Sequence, residues 1–275
     1  MKRKWIIPLI GTVAALTAAV SLFMIVSTLI TREREQRAFD ELAAVVEQGK
    51  ALSNTPAKTP EPSMPSEKDP SPTVSPTVSP IPEPTVLPEY AALYEQNSDF
   101  FGWLRIDDTP VNYPVMFTPD DPEFYLNRSF DRKNSGSGIP FIDGACFEGC
   151  GNYLMYGHHM QNGTVFAVLP EYEDPEFWQE HKTIFFDTVY EHGEYEVIAA
   201  FRGEAVGEAE DGFRYYRYTD LTDPAVFAEY MEQVKAAAAF DTGLTAEYGD
   251  ELITLSTCNY HTANGRFVVV AKRCA

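Results

Sequence analysis

The sequence predicts a mainly β protein in which a closed or nearly closed barrel carries added helices. After residue 89, short apolar stretches recur with turn residues between them, a pattern typical of barrels built from many short strands. The clearest helical spacing in this region is at residues 224–240, where Phe227, Tyr230 and Val234 fall on one face. An apolar segment, a helical segment and a proline-rich stretch precede the barrel.

The apolar segment comes first. Residues 5–30 carry no charge, and about 26 such residues are long enough to cross the hydrocarbon core of a membrane. Basic residues lie on both sides of this segment, so the distribution of positive charge only slightly favours the orientation with the amino terminus inside the cell. The alternative is a cleaved signal peptide, although its apolar core is usually shorter. We expect residues 1–31 to form a cytoplasmic stub and a single-pass transmembrane anchor.

A juxtamembrane helix is predicted at residues 32–50. Phe39, Leu42 and Val46 have helical spacing and share one face, and Gly49 is expected to stop the helix. The pattern leaves open whether this helix is solvated or packs against another part of the protein.

Residues 51–88 form a predicted linker. Eleven of these 38 residues are proline, and residues 71–80 repeat a four-residue unit. Such a composition cannot form a core and favours extended polyproline conformation. At about 3.1 Å per residue the linker could reach on the order of 100 Å. We therefore expect it to hold the following domain away from the membrane.

The globular domain is predicted at residues 89–275. It opens with a short helix at 90–97, and a second short helix is expected at 164–169. The last two strands flank a turn that ends in Asn264-Gly265, which is a strong hairpin signal. The predicted strands lie at residues 101–106, 111–116, 139–142, 153–156, 182–186, 194–201, 252–258 and 267–270.

The charge of the chain restricts its partners. The formal net charge is −20, and because the three charged residues among the first 30 are basic, the rest of the chain carries −23. Such an acidic surface repels nucleic acid and anionic lipid. We expect no nucleic-acid partner, and contact with a membrane must come from the apolar segment.

The four cysteines are Cys146, Cys150, Cys258 and Cys274, too few for a disulfide scaffold. Cys146 and Cys150 are separated by three residues and could be bridged outside the cell or form half of a zinc site. No second pair of cysteines or histidines has the spacing of metal ligands. We expect neither a metal nor another cofactor.

Cys258 stands at the exit of one predicted strand, and Arg266 stands at the entry of the next. If the two strands pair antiparallel, these residues lie side by side. A guanidinium is always charged, favours a neighbouring thiolate and can donate hydrogen bonds to an oxyanion. The pattern therefore indicates a nucleophilic cysteine, with a buried core cysteine and a surface arginine as the alternative.

A nucleophilic cysteine usually needs a basic partner. Among the five histidines, His158 follows a predicted strand and Gly157, so it is placed like Cys258 at a strand exit. His159 should point the other way because side chains alternate along a strand. His181 and His192 are expected at the surface, and His261 lies in the turn after Cys258.

These segments resemble the sortases, the cysteine transpeptidases of Gram-positive cell surfaces. Residues 254–258, Thr-Leu-Ser-Thr-Cys, resemble the TLxTC signature, and residues 156–159 resemble the catalytic-histidine segment. Arg266 matches the family's arginine, and the order His, Cys, Arg is the family's order. The serine in the signature and the long insert before the cysteine are similar to class B, as are residues 112–115 and 136–143. The resemblance covers about residues 90 to 273.

The resemblance implies a closed eight-stranded barrel with an N-terminal helix and a long helix inserted before the cysteine strand. It also implies a membrane-anchored enzyme whose catalytic domain is extracellular. Such an enzyme cleaves the C-terminal sorting signal of surface proteins and joins them to a peptidoglycan precursor or another cell-wall amine. The implied catalytic residues are His158, Cys258 and Arg266. The expected substrate-binding residues are Leu126, Tyr215, Tyr216, Ser256, Thr257 and Asn259.

Two other functions stay open. An L,D-transpeptidase also orders His before Cys, but its cysteine lies in a Ser-x-Gly-Cys type of loop that is absent from this sequence. An inactive surface-binding module on a stalk is the alternative from another class. Thiol reactivity distinguishes a transpeptidase from a binding module, because a binding module should not form a thioacyl intermediate.

Overall fold

The computed structural model describes residues 6–53, 84–205, 212–258, 262 and 264–274, with side chains described for residues 19–52 of the first range. The helices are α1 Ile6–Ser53, α2 Pro88–Gln96, α3 Pro175–Glu180 and α4 Pro224–Ala237. The strands are β1 Phe100–Arg105, β2 Asn112–Met116, β3 Phe141–Ile142, β4 Asn152–Tyr156, β5 Thr183–Thr188, β6 Glu194–Glu204, β7 Leu252–Cys258 and β8 Gly265–Arg273.

The eight strands close into one barrel in the order β1-β2-β3-β4-β7-β8-β6-β5. The β2–β3 and β4–β7 pairs are parallel, and the other pairs are antiparallel. Closure leaves no open sheet edge among the described strands, which is the usual solution for many short strands. The predicted closed eight-stranded barrel, with an N-terminal helix and with α4 before the cysteine strand, is confirmed.

Strand β7 is buried on both faces, although its alternating sequence predicts a strand with one exposed face. Ile253 and Leu255 are fully buried in the core, and Thr254 and Ser256 on the other face are buried as well. Two tyrosine hydroxyls cover the polar face: Tyr230 bonds Thr254 and Tyr215 bonds Ser256, each at 2.8 Å between oxygens. The hydroxyl groups of Thr254 and Ser256 therefore form buried hydrogen bonds and do not face water.

Helix α1 packs against the barrel. Phe39 and Val46 are buried, and the Phe39 ring meets the Tyr113 ring of β2 edge-on with 4.7 Å between centroids. At Gly49 an added Cβ would lie 2.5 Å from the Cα of Glu89 at the start of α2. The prediction that Gly49 stops the helix is wrong, because the glycine serves close packing there and α1 continues to Ser53. Among the described residues, no helix was found that is both long and apolar enough to cross a membrane.

The short helix expected at residues 164–169 is absent from the described structure. Val165 has a positive φ of 57°, pairs with His159 in an isolated bridge, and donates its N–H to the Tyr113 hydroxyl at 3.1 Å. These tertiary bonds replace the local bonds of a helix. Helical structure begins instead with a 3₁₀ turn at Leu169–Glu173, followed by α3, which was not predicted from the sequence.

Candidate active site

The β7–β8 hairpin places Cys258 opposite Arg266. The two strands pair antiparallel from Leu252 with Lys272 to Cys258 with Arg266, without a shift in register. Cys258 is the last residue of β7 and is half-buried. The side-by-side placement expected from the two strand ends is therefore present. Asn259 and His261, which lie between them, fall outside the described residues.

The β4–β7 pair brings His158 to the same end of the barrel. Tyr156 lies opposite Ser256 in the parallel register, and the Gly157 N–H donates to the Ser256 carbonyl at 3.2 Å. The Thr257 hydroxyl in turn donates to the Gly157 carbonyl at 2.8 Å. Because these bonds continue past the end of β4, the backbone that carries His158 is fixed against the backbone that carries Cys258.

The ring of His158 is oriented by a backbone carbonyl. Its Nε2 lies 2.8 Å from the carbonyl oxygen of Leu126. Because a carbonyl oxygen only accepts, Nε2 carries the hydrogen, and in the neutral ring Nδ1 holds the lone pair. The bond therefore selects one tautomer of His158.

His159 binds the backbone of the cysteine. Its Nδ1 donates to the Cys258 carbonyl oxygen at 2.9 Å. His158 lines the cleft beside Cys258, whereas His159 does not. This agrees with the expected alternation of the two side chains, but the bond from His159 to the end of β7 could not be foreseen from the sequence.

A cleft of about 470 Å³ opens at this end of the barrel. Its volume is in the range of small-molecule and cofactor sites. All three predicted catalytic residues line it, and so do five of the six predicted substrate-binding residues. The predicted residues in its lining are Leu126, His158, Tyr215, Tyr216, Ser256, Thr257, Cys258 and Arg266.

Three of these residues form the wall of the cleft. Tyr215, Ser256 and Thr257 are almost fully buried, and their hydroxyls are bonded within the protein. Burial raises the pKa of Tyr215 to about 12, while its bond to Ser256 and the charge of Arg266 act in the opposite direction. Leu126 and Tyr216 are half-buried and offer more of their surface to the cleft.

The guanidinium of Arg266 binds backbone carbonyl groups of the turn that precedes it. Its Nη1 donates to the Gly265 carbonyl at 3.0 Å and to the Asn264 carbonyl at 3.4 Å. None of the ion pairs between described residues involves Arg266. Its charge is therefore not neutralised by a carboxylate within the described part of the chain, as an oxyanion-binding group requires.

Part of the cleft was not predicted from the sequence. Glu123, Phe141 and Asp143 also line it. The Asp143 carboxylate accepts a 2.9 Å bond from the Tyr156 hydroxyl, and burial together with this carboxylate raises the pKa of Tyr156. Asp143 ends the segment 136–143 that resembles class B enzymes, so that resemblance was the available signal.

The other thiols and histidines lie elsewhere. Cys146 and Cys150 are free and buried, and both sulfurs lie near the Asn152 carbonyl oxygen, at 3.5 and 3.4 Å. His181 stacks on Phe177, and His192 lies between two carboxylates. Within the described ranges, no cluster of potential ligands was found that could hold a metal ion.

A half-buried thiol beside an unneutralised guanidinium, with a histidine in the same cleft, is the constellation of thiol-dependent acyl-transfer enzymes. Comparison with known proteins identifies the family. The sortase domain model matches residues 104–274, which is more than half of the chain. The chain belongs to the sortase family and is a cysteine transpeptidase.

Its relatives include two curated proteins named sortase B. The one from Staphylococcus aureus (strain NCTC 8325 / PS 47) is 29% identical over 191 residues, covering 68% of this chain and 75% of that protein. The one from Listeria monocytogenes serovar 1/2a (strain ATCC BAA-679 / EGD-e) is also 29% identical over 191 residues, covering 67% and 73%.

Solved sortase B structures share the fold. A Staphylococcus aureus sortase B–substrate complex superposes with a TM-score of 0.68 at 22% identity, covering 89% of this chain and 98% of that chain. A 2.0 Å crystal structure of Staphylococcus aureus sortase B gives a TM-score of 0.61 at 30% identity, covering 69% and 88%. The resemblance to class B enzymes is thus confirmed.

Proposed function

We propose that this transpeptidase cleaves a C-terminal sorting signal of surface proteins through a thioacyl intermediate on Cys258 and joins the acyl group to a cell-wall amine. The observation that carries the proposal is the register of β7 and β8, which pairs Cys258 with Arg266 at the mouth of the cleft that His158 also lines. A Staphylococcus aureus sortase B with this fold has been solved as a complex with its substrate, which supports a substrate-binding role for this domain.

The proposed reaction has two steps. The Cys258 thiolate attacks the scissile carbonyl carbon, Arg266 donates to the oxyanion, and the His158 imidazolium protonates the leaving amine. The result is a thioester and a released peptide fragment. An incoming amine then attacks the thioester, gives its proton to His158 and releases the thiolate. Water in place of the amine gives slow hydrolysis.

We also propose that residues 1–31 anchor the enzyme in the cell membrane, with the amino terminus inside and the barrel outside. The support is the uncharged stretch at residues 5–30 and the exposure of its apolar side chains from Val20 to Ile30. Full-length protein should fractionate with membranes and resist an alkaline wash. A soluble protein that lacks its first 30 or so residues would instead indicate a cleaved signal peptide.

The activity is tested with the full-length chain in detergent micelles. A panel of sorting-signal peptides is mixed with amine acceptors, and mass spectrometry detects cleaved and transferred products. We expect cleavage of at least one peptide at a defined bond and a transfer product that depends on the amine. Normal alkylation of Cys258 without cleavage of any peptide would contradict the proposal and favour a binding module.

A further inference from the structure

Glu35 on α1 binds a loop about 100 residues further along the chain. One carboxylate oxygen accepts from the Ser135 hydroxyl at 2.9 Å and from the Gly136 N–H at 2.8 Å. The other accepts from the Ser137 hydroxyl at 2.5 Å. Three donors on one carboxylate thus join α1 to the barrel domain, and Glu35 does not line the catalytic cleft.

The environment keeps this carboxylate ionised. Partial burial by itself would raise the pKa of Glu35, but the bonds from Ser137, Ser135 and the Gly136 backbone outweigh burial and lower it. An ionised carboxylate only accepts hydrogen bonds, so all three donors are held in one orientation.

The loop that Glu35 binds is fixed to the segment that contains Leu126. The Ser135 N–H donates to the Asn127 carbonyl at 3.0 Å, and the Ile139 N–H donates to the Tyr125 carbonyl at 3.1 Å. Between them, Gly138 has a φ of 58°, and an added Cβ would lie 2.3 Å from the Leu126 carbonyl oxygen. The loop backbone therefore packs directly on that carbonyl.

The same carbonyl orients the catalytic histidine, since it lies 2.8 Å from His158 Nε2. We infer that Glu35 is a positioning residue for His158: it fixes the loop, the loop fixes the Leu126 carbonyl, and the carbonyl fixes the ring and tautomer of His158. Helix α1 thereby supports the chemistry as well as the attachment of the barrel. The inference depends on the proposed role of His158.

The test compares Glu35→Ala with a matched control in the full-length chain. Glu33→Ala removes a carboxylate two residues away that forms only an exposed pair with Arg37. Turnover, KM, melting temperature and the pH dependence of Cys258 alkylation by iodoacetamide are measured for each protein. Alkylation needs no peptide, so it tests this inference even if the sorting-signal proposal fails.

We expect Glu35→Ala to lower turnover about 3- to 30-fold, the range for a residue that acts through a contact network, with KM unchanged. Without the Leu126 carbonyl as a fixed acceptor, the imidazolium form of His158 is less favoured, and so is the neighbouring Cys258 thiolate. The pH dependence of Cys258 alkylation should therefore move to higher pH. Glu33→Ala should match the wild type. Ser137→Ala, which removes one bond from the loop side, should give a smaller shift in the same direction.

Two results would overturn the inference. One is an alkylation profile and turnover for Glu35→Ala that equal those of Glu33→Ala. The other is a lower melting temperature for Glu35→Ala with unchanged turnover and an unchanged pH dependence of alkylation at temperatures where the protein is folded. That result would make Glu35 a structural residue. If Glu35→Ala does not fold, turnover and the pH dependence of Cys258 alkylation are measured for Ser137→Ala, and wild-type values of both would overturn the inference.

Discussion

At the residue scale, the arginine is placed by strand register. Arg266 is the first side chain after the Gly265 turn, and the unbroken β7–β8 pairing holds its backbone opposite Cys258. Its guanidinium already donates to two carbonyl oxygens of the turn. A planar group with five donors can keep those bonds and still donate to an oxyanion, whereas an ammonium has three donors on one atom.

We therefore expect Arg266→Lys to lose at least about 100-fold in turnover, as is typical for loss of an oxyanion donor, with melting temperature nearly unchanged. Alkylation of Cys258 should change much less than turnover, because His158 is still present. Steady-state kinetics with a cleavable peptide and thermal unfolding measure these effects.

Arg202→Lys is the matched control. Arg202 lies one residue from the β6 position that faces Arg266, and it pairs with Glu173 at the surface. Exposed ion pairs contribute little, so this variant should retain wild-type turnover and stability. Near-normal turnover in Arg266→Lys, or a collapse of its stability, would count against the proposed role and leave only Cys258 and His158 as the supported site.

The residues that could be predicted from the sequence are those whose chemistry depends on strand ends. Cys258, Arg266 and His158 each adjoin a strand boundary, and a local pattern with a family signature locates them. Glu35 and His159 gave no such signal. Their partners are about 100 residues away in the chain, and only the closed barrel brings these groups together.

At the element scale, α1 is more than a tether. The sequence predicts its amphipathic face but not the surface that the face covers, because the partner residues are distributed over β2, α2 and the 135–137 loop. The part of α1 from Glu35 to Gly49 therefore lies on the barrel domain. Most of the predicted linker at residues 51–88 lies outside the described residues; at its two ends, residues 51–53 belong to α1 and Pro88 begins α2.

Phe39→Ala should lower the free energy of unfolding by about 3–5 kcal/mol, the usual cost of truncating a buried phenylalanine. Phe39 is 6% exposed and packs on Tyr113, whereas Leu52 on the same helix is 77% exposed and provides the control. Urea unfolding of the full-length chain in mild detergent measures the difference. Equal stability of Phe39→Ala and Leu52→Ala would mean that α1 does not dock in solution.

The docking of α1 should also depend on pH. The folded pKa of Glu35 lies below its ordinary value of 4.5, so its contribution to stability is complete above that value and is lost as the pH falls through the folded pKa. The difference in melting temperature between wild type and Glu35→Ala should stay constant from pH 7 to pH 5 and shrink below pH 4.5. A difference that grows on acidification would contradict the assigned ionisation.

At the scale of the whole molecule, most strands could be predicted because their turns and apolar stretches are local signals. Their order in the barrel could not, since the parallel β2–β3 and β4–β7 pairs join segments far apart in sequence. The error at residues 164–169 has the same origin: Val165 exchanges local helical bonds for contacts with Tyr113 and His159. The family resemblance supplied the barrel topology that periodicity alone does not contain.

We expect Cys258, and no other thiol of the chain, to carry the acyl group. Full-length protein is mixed with a cleavable sorting-signal peptide without amine, quenched in acid, digested and mapped by mass spectrometry. We predict one adduct, a thioester on the peptide that contains Cys258, which disappears when an amine is added and is absent from Cys258→Ala. An adduct on Cys146, Cys150 or Cys274, or cleavage that persists in Cys258→Ala, would show that Cys258 is not the nucleophile.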